Sequence, residues 1–232
     1  MASSSSPSPS SPSLTLTYFD ARSKGEAIRL AMHIGSVPFT DHRIIRSTEW
    51  PTLKPTMPFQ QLPILTIKQE QPAQGETPAK ELTTVIAQSN AILRYVGTLA
   101  GLYPAQDVLA AAQVDQIVMH LCDIRNLYST IKKDQDSATR TAARAVLAAT
   151  VYPTMLAALD KTIAANSAGT WCVGTSITVA DLVLYVVVLL IKSGDWKGVP
   201  CSLVDVYPRI ITVFDAVSKH PKVVEWEAAH SM

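Results

Sequence analysis

The stretch LTLTYFDARSKGEAIRL, residues 14–30, puts a tyrosine where strand-like alternation ends and a helical pattern is about to begin. Loops that follow strands are where rigid scaffolds present their chemistry, so Tyr18 reads either as a hydroxyl offered at a strand end or as one more half-buried aromatic. Further along, Gln88 and Ser89 open a helix directly after a strand. Backbone N–H groups and the helix dipole favour an anion there, although Ser89 would serve equally as an ordinary N-cap. Pro63, in QLPIL, opens a short strand, which is also what an edge-strand proline does. Trp50 precedes a proline in a loop, where a core role is not obvious. Cys122, Cys172 and Cys201 are scattered, with no CxxC and no histidine pair at metal spacing, so no metal centre is expected and the thiols read as reduced.

The elements around these residues alternate at first. Strand patterns cover 14–18, 39–45, 63–67 and 82–87, with helical patterns at 24–35 and from Ser89 to Leu99. The polar stretch KQEQPAQGETPAKE, 68–81, is longer than a hairpin turn and reads as a projecting loop. Past Gly101 only helical periodicity remains. One stripe runs from Val114 to Ile131 and a second through Leu147, Val151, Met155, Leu159 and Ile163. A third helix begins at Thr178, where TVAD offers a capping box, and a fourth spans 205–219. Residues 1–13, with eight serines and three prolines, are too polar to bury a core and are expected to be disordered.

Bulk composition narrows the classes. The 232-residue chain is 47% hydrophobic and 17% charged, with a formal charge of +1 and no block of like charges. Nucleic acid and anionic membrane surfaces usually demand a basic footprint that is missing here. The longest apolar run, LVLYVVVLLI, has ten residues, against about 20 for a membrane span. It reads as a buried core helix in a cytoplasmic protein.

Five stretches, LTYFDARSKGEAIRL, DHRIIRSTEWPTLK, MPFQQLPIL, AQSNAILRYVG and WCVGTSITVAD, occur in the order found in one family. The chain resembles cytosolic glutathione S-transferases, most closely the sigma-type branch that includes glutathione-dependent prostaglandin D synthases. The resemblance implies an α/β thioredoxin-like N-terminal domain over 14–99 and an all-α domain over 108–230. It implies a detoxifying enzyme with glutathione as co-substrate, no metal, and a small hydrophobic electrophile held in a cleft between the domains.

Carried onto this sequence, Tyr18 is the hydroxyl that activates the glutathione thiol. Gln88 and Ser89 take the γ-glutamyl carboxylate, Pro63 is a cis-proline that lets Leu62 pair with the peptide, and Gln61 shares that turn. Trp50 and Lys54 meet the glycyl end. Asp123 reaches the glutathione of the other subunit in a homodimer, in which Phe59 supplies an apolar interface contact or else fills its own core. Phe19, Cys122, Arg125, Asn126 and Tyr128 are expected to line the second-substrate cleft, with Tyr128 on the apolar stripe and equally suited to the core. Lys24 stands where the family often has an arginine, so its charge lacks the planar fork; Arg22 is the alternative source of that charge. Two other outcomes remain open: a glutathione-dependent isomerase of prostaglandin type, and a non-enzymatic crystallin-like or scaffold relative.

Overall fold

The computed structural model describes residues 12–71, 80–131, 136–166 and 169–230. The serine- and proline-rich tail up to residue 11 and residues 72–79 of the polar loop lie outside the described residues. The chain divides into two compact units, one comprising Met1–Ala21 with Pro38–Ile92 and the other Arg22–Val37 with Leu93–Met232.

The first unit is built on a four-stranded sheet: β1 (Ser13–Phe19), β2 (Thr40–Ile44), β3 (Ile64–Gln71) and β4 (Lys80–Ala87), in the order β2-β1-β3-β4. β1 runs parallel to β2 and antiparallel to β3, and β3 pairs antiparallel with β4. Period-two alternation buries Leu14, Leu16 and Tyr18 on one face of β1. The hairpin strands outrun the sequence expectation, since Glu70↔Glu81 and Gln71↔Lys80 are paired inside the stretch read as loop. These positions are exposed on β4 and at the far end of β3, so no apolar alternation marks them. The Lys68 to Glu81 ion pair, at 3.0 Å, supplies part of the cross-strand match instead.

In the second unit, α1 (Ser23–Ile34) packs against α7 (Val179–Lys192) and α9 (Pro221–Ala229). α4 (Val108–Thr130) buries the expected stripe of Val114, Ile117, Val118, Leu121 and Ile124. Asp107 caps it by accepting from the Ala110 N–H. The capping box at α7 is present: the Asp181 carboxylate accepts from the Thr178 N–H at 2.7 Å and also from the Cys172 N–H at 2.7 Å. With twelve of its fourteen residues buried, α7 is the core helix that its apolar run suggested. Among the described residues no single helix is long and apolar enough to cross a membrane.

Two boundaries differ from the sequence reading. The stripe from Leu147 to Ile163 is not one helix but α5 (Ser137–Thr150) and α6 (Tyr152–Asn166), bent by 45° at Val151. Pro153, in the first turn of α6, has no N–H to continue the α5 ladder, so the break falls where a proline is tolerated. Likewise the last helical stretch ends at Ser218 (α8, Pro208–Ser218), and a further helix, α9, starts at Pro221. In chain order the four strands come first and, among the described residues, only helices follow Gly101, while α1 groups with those later helices in the second unit.

Candidate functional site

Strand register brings the N-terminal candidates together. Thr17 pairs with Ile64, and Ile64 with Ala87. Continuing both ladders by one residue sets Tyr18 beside Pro63 and Pro63 beside Gln88, so Tyr18, Leu62–Pro63 and Gln88–Ser89 form a row across one end of the sheet. The Leu62–Pro63 peptide bond is cis. Gln61, just before it, is extended and exposed.

Gln88 is left-handed at φ 73°, and its carbonyl accepts from Ile92 N–H at 3.0 Å. That makes Gln88 the cap residue of α3 (Ser89–Leu99), with Ser89 at its first helical position. The ordinary N-cap role considered for Ser89 is therefore taken by its neighbour. Ser89 instead sits in the first turn, where N–H groups have no partner within the helix.

Tyr18 is 4% exposed and joins Phe19 and Ile44 in a small core, with Ala21, Trp50, Leu53 and Leu62 packed against it. Trp50 opens α2 (Trp50–Leu53) and meets the Phe19 ring edge-on at 5.5 Å. It therefore has a packing role, which was not obvious from its place before a proline. Phe19 is a core residue of this unit, with the Arg46 guanidinium 3.8 Å above its ring, rather than an open lining position. Lys54 follows at the surface as the start of a 3-10 turn. Phe59 is left-handed at φ 53° and 73% exposed, which removes the alternative that it fills its own core.

The remaining candidates belong to the second unit. Cys122 and Arg125 are buried one turn apart on α4, with Arg125 Nη2 donating to Cys122 Sγ at 3.2 Å. Lys24 is electrostatically coupled to both: burial first, and then the Arg125 charge, push its ammonium pKa below the ordinary lysine range, against the pull of Cys122. Asp123 and Asn126 are exposed on α4. Tyr128 stacks on Trp196 at 4.7 Å under the Arg144 guanidinium, and its hydroxyl donates to the Asp195 carbonyl. Burial is the main reason its phenol pKa is raised. Of the two roles open to it, packing is the one this surrounding favours.

Arg22 is not available as the alternative charge. It forms a two-pronged ion pair with Glu227, 2.6 Å on each arm, and Tyr185 donates to the same carboxylate. Sequence reading missed this pair and the related bond from Trp226 Nε1 to Glu26, because partners about 200 residues apart leave no local pattern. The Cys122–Arg125 contact was accessible, since residues three apart share a helix face. Among the described residues, no group of three or more His, Cys, Asp and Glu side chains is arranged to hold a metal.

Comparison with known proteins agrees with this architecture. A family model for the glutathione S-transferase C-terminal domain matches residues 122–230. Glutathione S-transferase 1 of Ascaris suum is 30% identical over 94% of this chain and 96% of its own length. Hematopoietic prostaglandin D synthase of Gallus gallus is 31% identical over 93% and 95%. The solved structure of rat hPGDS complexed with a quinoline is 26% identical and superposes with a TM-score of 0.73, covering 94% of this chain and 96% of that one. The chain belongs to the glutathione S-transferase family.

Proposed function

We propose that this enzyme joins the glutathione thiol to electrophilic carbon, with Tyr18 as the group that activates it. The observation that carries the reading is the row of Tyr18, Leu62–Pro63 and Gln88–Ser89 across one sheet end. Such a row offers one hydroxyl, one edge backbone and one helix N-terminus, which suit a thiol, a peptide and a carboxylate in turn. A thiol with a pKa near 8.5 is only about 3% thiolate at neutral pH. A hydroxyl donated to the sulfur favours the charged form, and a charge-assisted hydrogen bond contributes about 1.5–3 kcal/mol. Lys54 supplies a surface charge for the glycyl carboxylate, Trp50 packs beside it, and Gln61 borders the peptide. The thiol proton leaves to solvent, the thiolate sulfur bonds to the electrophilic carbon, and a leaving group departs with its electron pair or the adduct is protonated.

The domain assignment proposed with it is glutathione binding over 14–99 and second-substrate binding over 108–230, in a cytoplasmic homodimer. Retention on immobilised glutathione, followed by turnover of an aryl halide, tests the reading. A protein that flows through and leaves the halide untouched would support the non-enzymatic alternative. The similarity to a prostaglandin D synthase keeps one second reading, isomerisation with glutathione regenerated. Product analysis with a prostaglandin endoperoxide separates it from conjugation.

Asp123 is exposed on α4, as a cross-subunit contact to the glutathione amino group requires in the isolated chain, and exposed Phe59 offers an apolar contact to a second copy. Co-expressing Tyr18→Phe with Asp123→Ala and isolating the mixed dimer checks this. If Asp123 acts in trans, one site carries both lesions and the other neither, so half the sites show wild-type turnover and KM for glutathione. If no wild-type site appears, Asp123 does not serve the partner.

A further inference from the structure

A cavity of about 190 Å³ opens between α4 and α6, wholly within the second unit. Each helix lines it with the same spacing: Gln116, Ile117 and His120 from α4, and Ala158, Leu159 and Thr162 from α6. Residues four apart share a helix face, so the two sets meet across the gap. Cross-helix hydrogen bonds close both ends. His120 Nε2 meets the Met155 carbonyl at 3.0 Å, and Gln113 Nε2 donates to Asn166 Oδ1 at 3.3 Å. Between these ties Ala158 contributes only a methyl group, so little side chain fills the space. Ile117 and Leu159, 1% and 2% exposed, supply a buried apolar wall.

The polar atoms around that wall are mostly acceptors. A carbonyl can only accept, so the hydrogen of the neutral His120 ring sits on Nε2 and Nδ1 keeps its lone pair. Among the described residues His120 makes no further hydrogen bond. The Thr162 hydroxyl spends its hydrogen on the Ala158 carbonyl at 2.8 Å and leaves its oxygen able to accept. No Asp, Glu, Lys or Arg is among the six lining residues, so no fixed charge calls for an ionic ligand.

We propose that this cavity is a binding site for a neutral, single-ring phenol, with the ring against Ile117 and Leu159 and the hydroxyl donating to His120 Nδ1. Size sets the class. An apolar cavity of about 150 Å³ is enough to bind benzene, whereas pockets for drug-sized molecules begin at about 300 Å³. A volume of about 190 Å³ therefore suits one ring with a small substituent. The inference does not rest on the transferase reading, because no residue assigned to that chemistry lines the cavity.

Calorimetry on the full-length protein in its native association state, with p-cresol and p-xylene as probes, tests the site. The two differ by a hydroxyl against a methyl of similar size. p-Cresol should bind the wild type at least as tightly as p-xylene, although p-xylene is the more apolar. His120→Leu should lower the ratio of cresol to xylene affinity at least fivefold, because the hydroxyl then loses its acceptor. His120→Gln, whose amide offers both a donor and an acceptor, should recover part of that ratio. Ala158→Leu fills the gap from an exposed position and should abolish binding of both probes. If His120→Leu does not fold, Ala158→Leu and the His120→Gln ratio decide the matter. No binding to the wild type overturns the proposal, as does cresol binding that survives Ala158→Leu. An unchanged ratio in a folded His120→Leu overturns it too. Turnover of an aryl halide gives a separate check. A KM for the halide that rises as p-cresol saturates would put the phenol in the catalytic site and also overturn the proposal. If the halide is not turned over, the transferase reading fails while calorimetry still decides the cavity.

Discussion

Replacing Tyr18 by phenylalanine should lower turnover tenfold or more while glutathione KM changes little. The substitution keeps the buried ring that packs with Phe19 and Ile44 and removes only the hydroxyl. If that hydroxyl lowers the bound thiol from near 8.5 by one to two pKa units, at about 1.36 kcal/mol per unit, its loss lowers the thiolate fraction at neutral pH by roughly eight- to 25-fold. In the proposed site the peptide contacts fall to the Leu62 backbone and the start of α3 rather than to this hydroxyl, so binding should persist. The direct measurement is the pH dependence of thiolate absorbance in the enzyme–glutathione complex, alongside single-turnover rates. The apparent thiol pKa should rise by one to two units in the variant. A variant that keeps more than half the wild-type rate with chemistry rate-limiting, and an unshifted thiol pKa, would remove Tyr18 from the mechanism. Near-identical folding of the two proteins is expected, because the ring remains.

What the sequence disclosed and withheld divides along physical lines. Residues whose roles follow from local pattern were legible: the strand leading to Tyr18, the capping box at Thr178 and Asp181, and the α4 stripe all have their signal within one or two turns. The polar ends of β3 and β4 were not, since a ladder exposed on both faces needs no apolar alternation. The α5–α6 break was hidden because the apolar stripe continues across it, although Pro153 marks the place. At the site, the motif order located Tyr18, Pro63 and Gln88, but their alignment into one row depends on strand register, which no single motif carries. Trp50 illustrates the converse error. Its position before a proline suggested a loop residue without a packing partner, while its edge-on contact with Phe19 is a product of tertiary placement.

The same distinction explains why no local pattern singles out Glu26. In the folded protein it is 2% exposed, accepts from the fully buried Arg29 at 3.1 Å, and accepts from Trp226 Nε1 on α9 at 2.8 Å. One carboxylate therefore joins the first helix of the chain to the last helix described. Removing one partner of a buried pair leaves the other charge desolvated, which typically costs about 3–5 kcal/mol, whereas replacing both with apolar groups can be close to neutral. Glu26→Ala should accordingly destabilise the protein by about 3–5 kcal/mol. At about 2–4 °C per kcal/mol for a chain of this size, Tm should fall by roughly 6–20 °C. Glu26→Gln keeps an acceptor for Trp226 but not the charge facing Arg29, so it should fall between wild type and Glu26→Ala. Combining Glu26→Met with Arg29→Met should recover much of the loss, because no charge is then stranded. Thermal melts at fixed protein concentration measure all four, since association would otherwise shift Tm by mass action. If Glu26→Ala melts within about 2 °C of wild type, or if the double substitution is no better than the single one, the ion pair does not hold α1 and α9 in place. The stability would then reside in the apolar contacts of Ile28, Met32 and Val223.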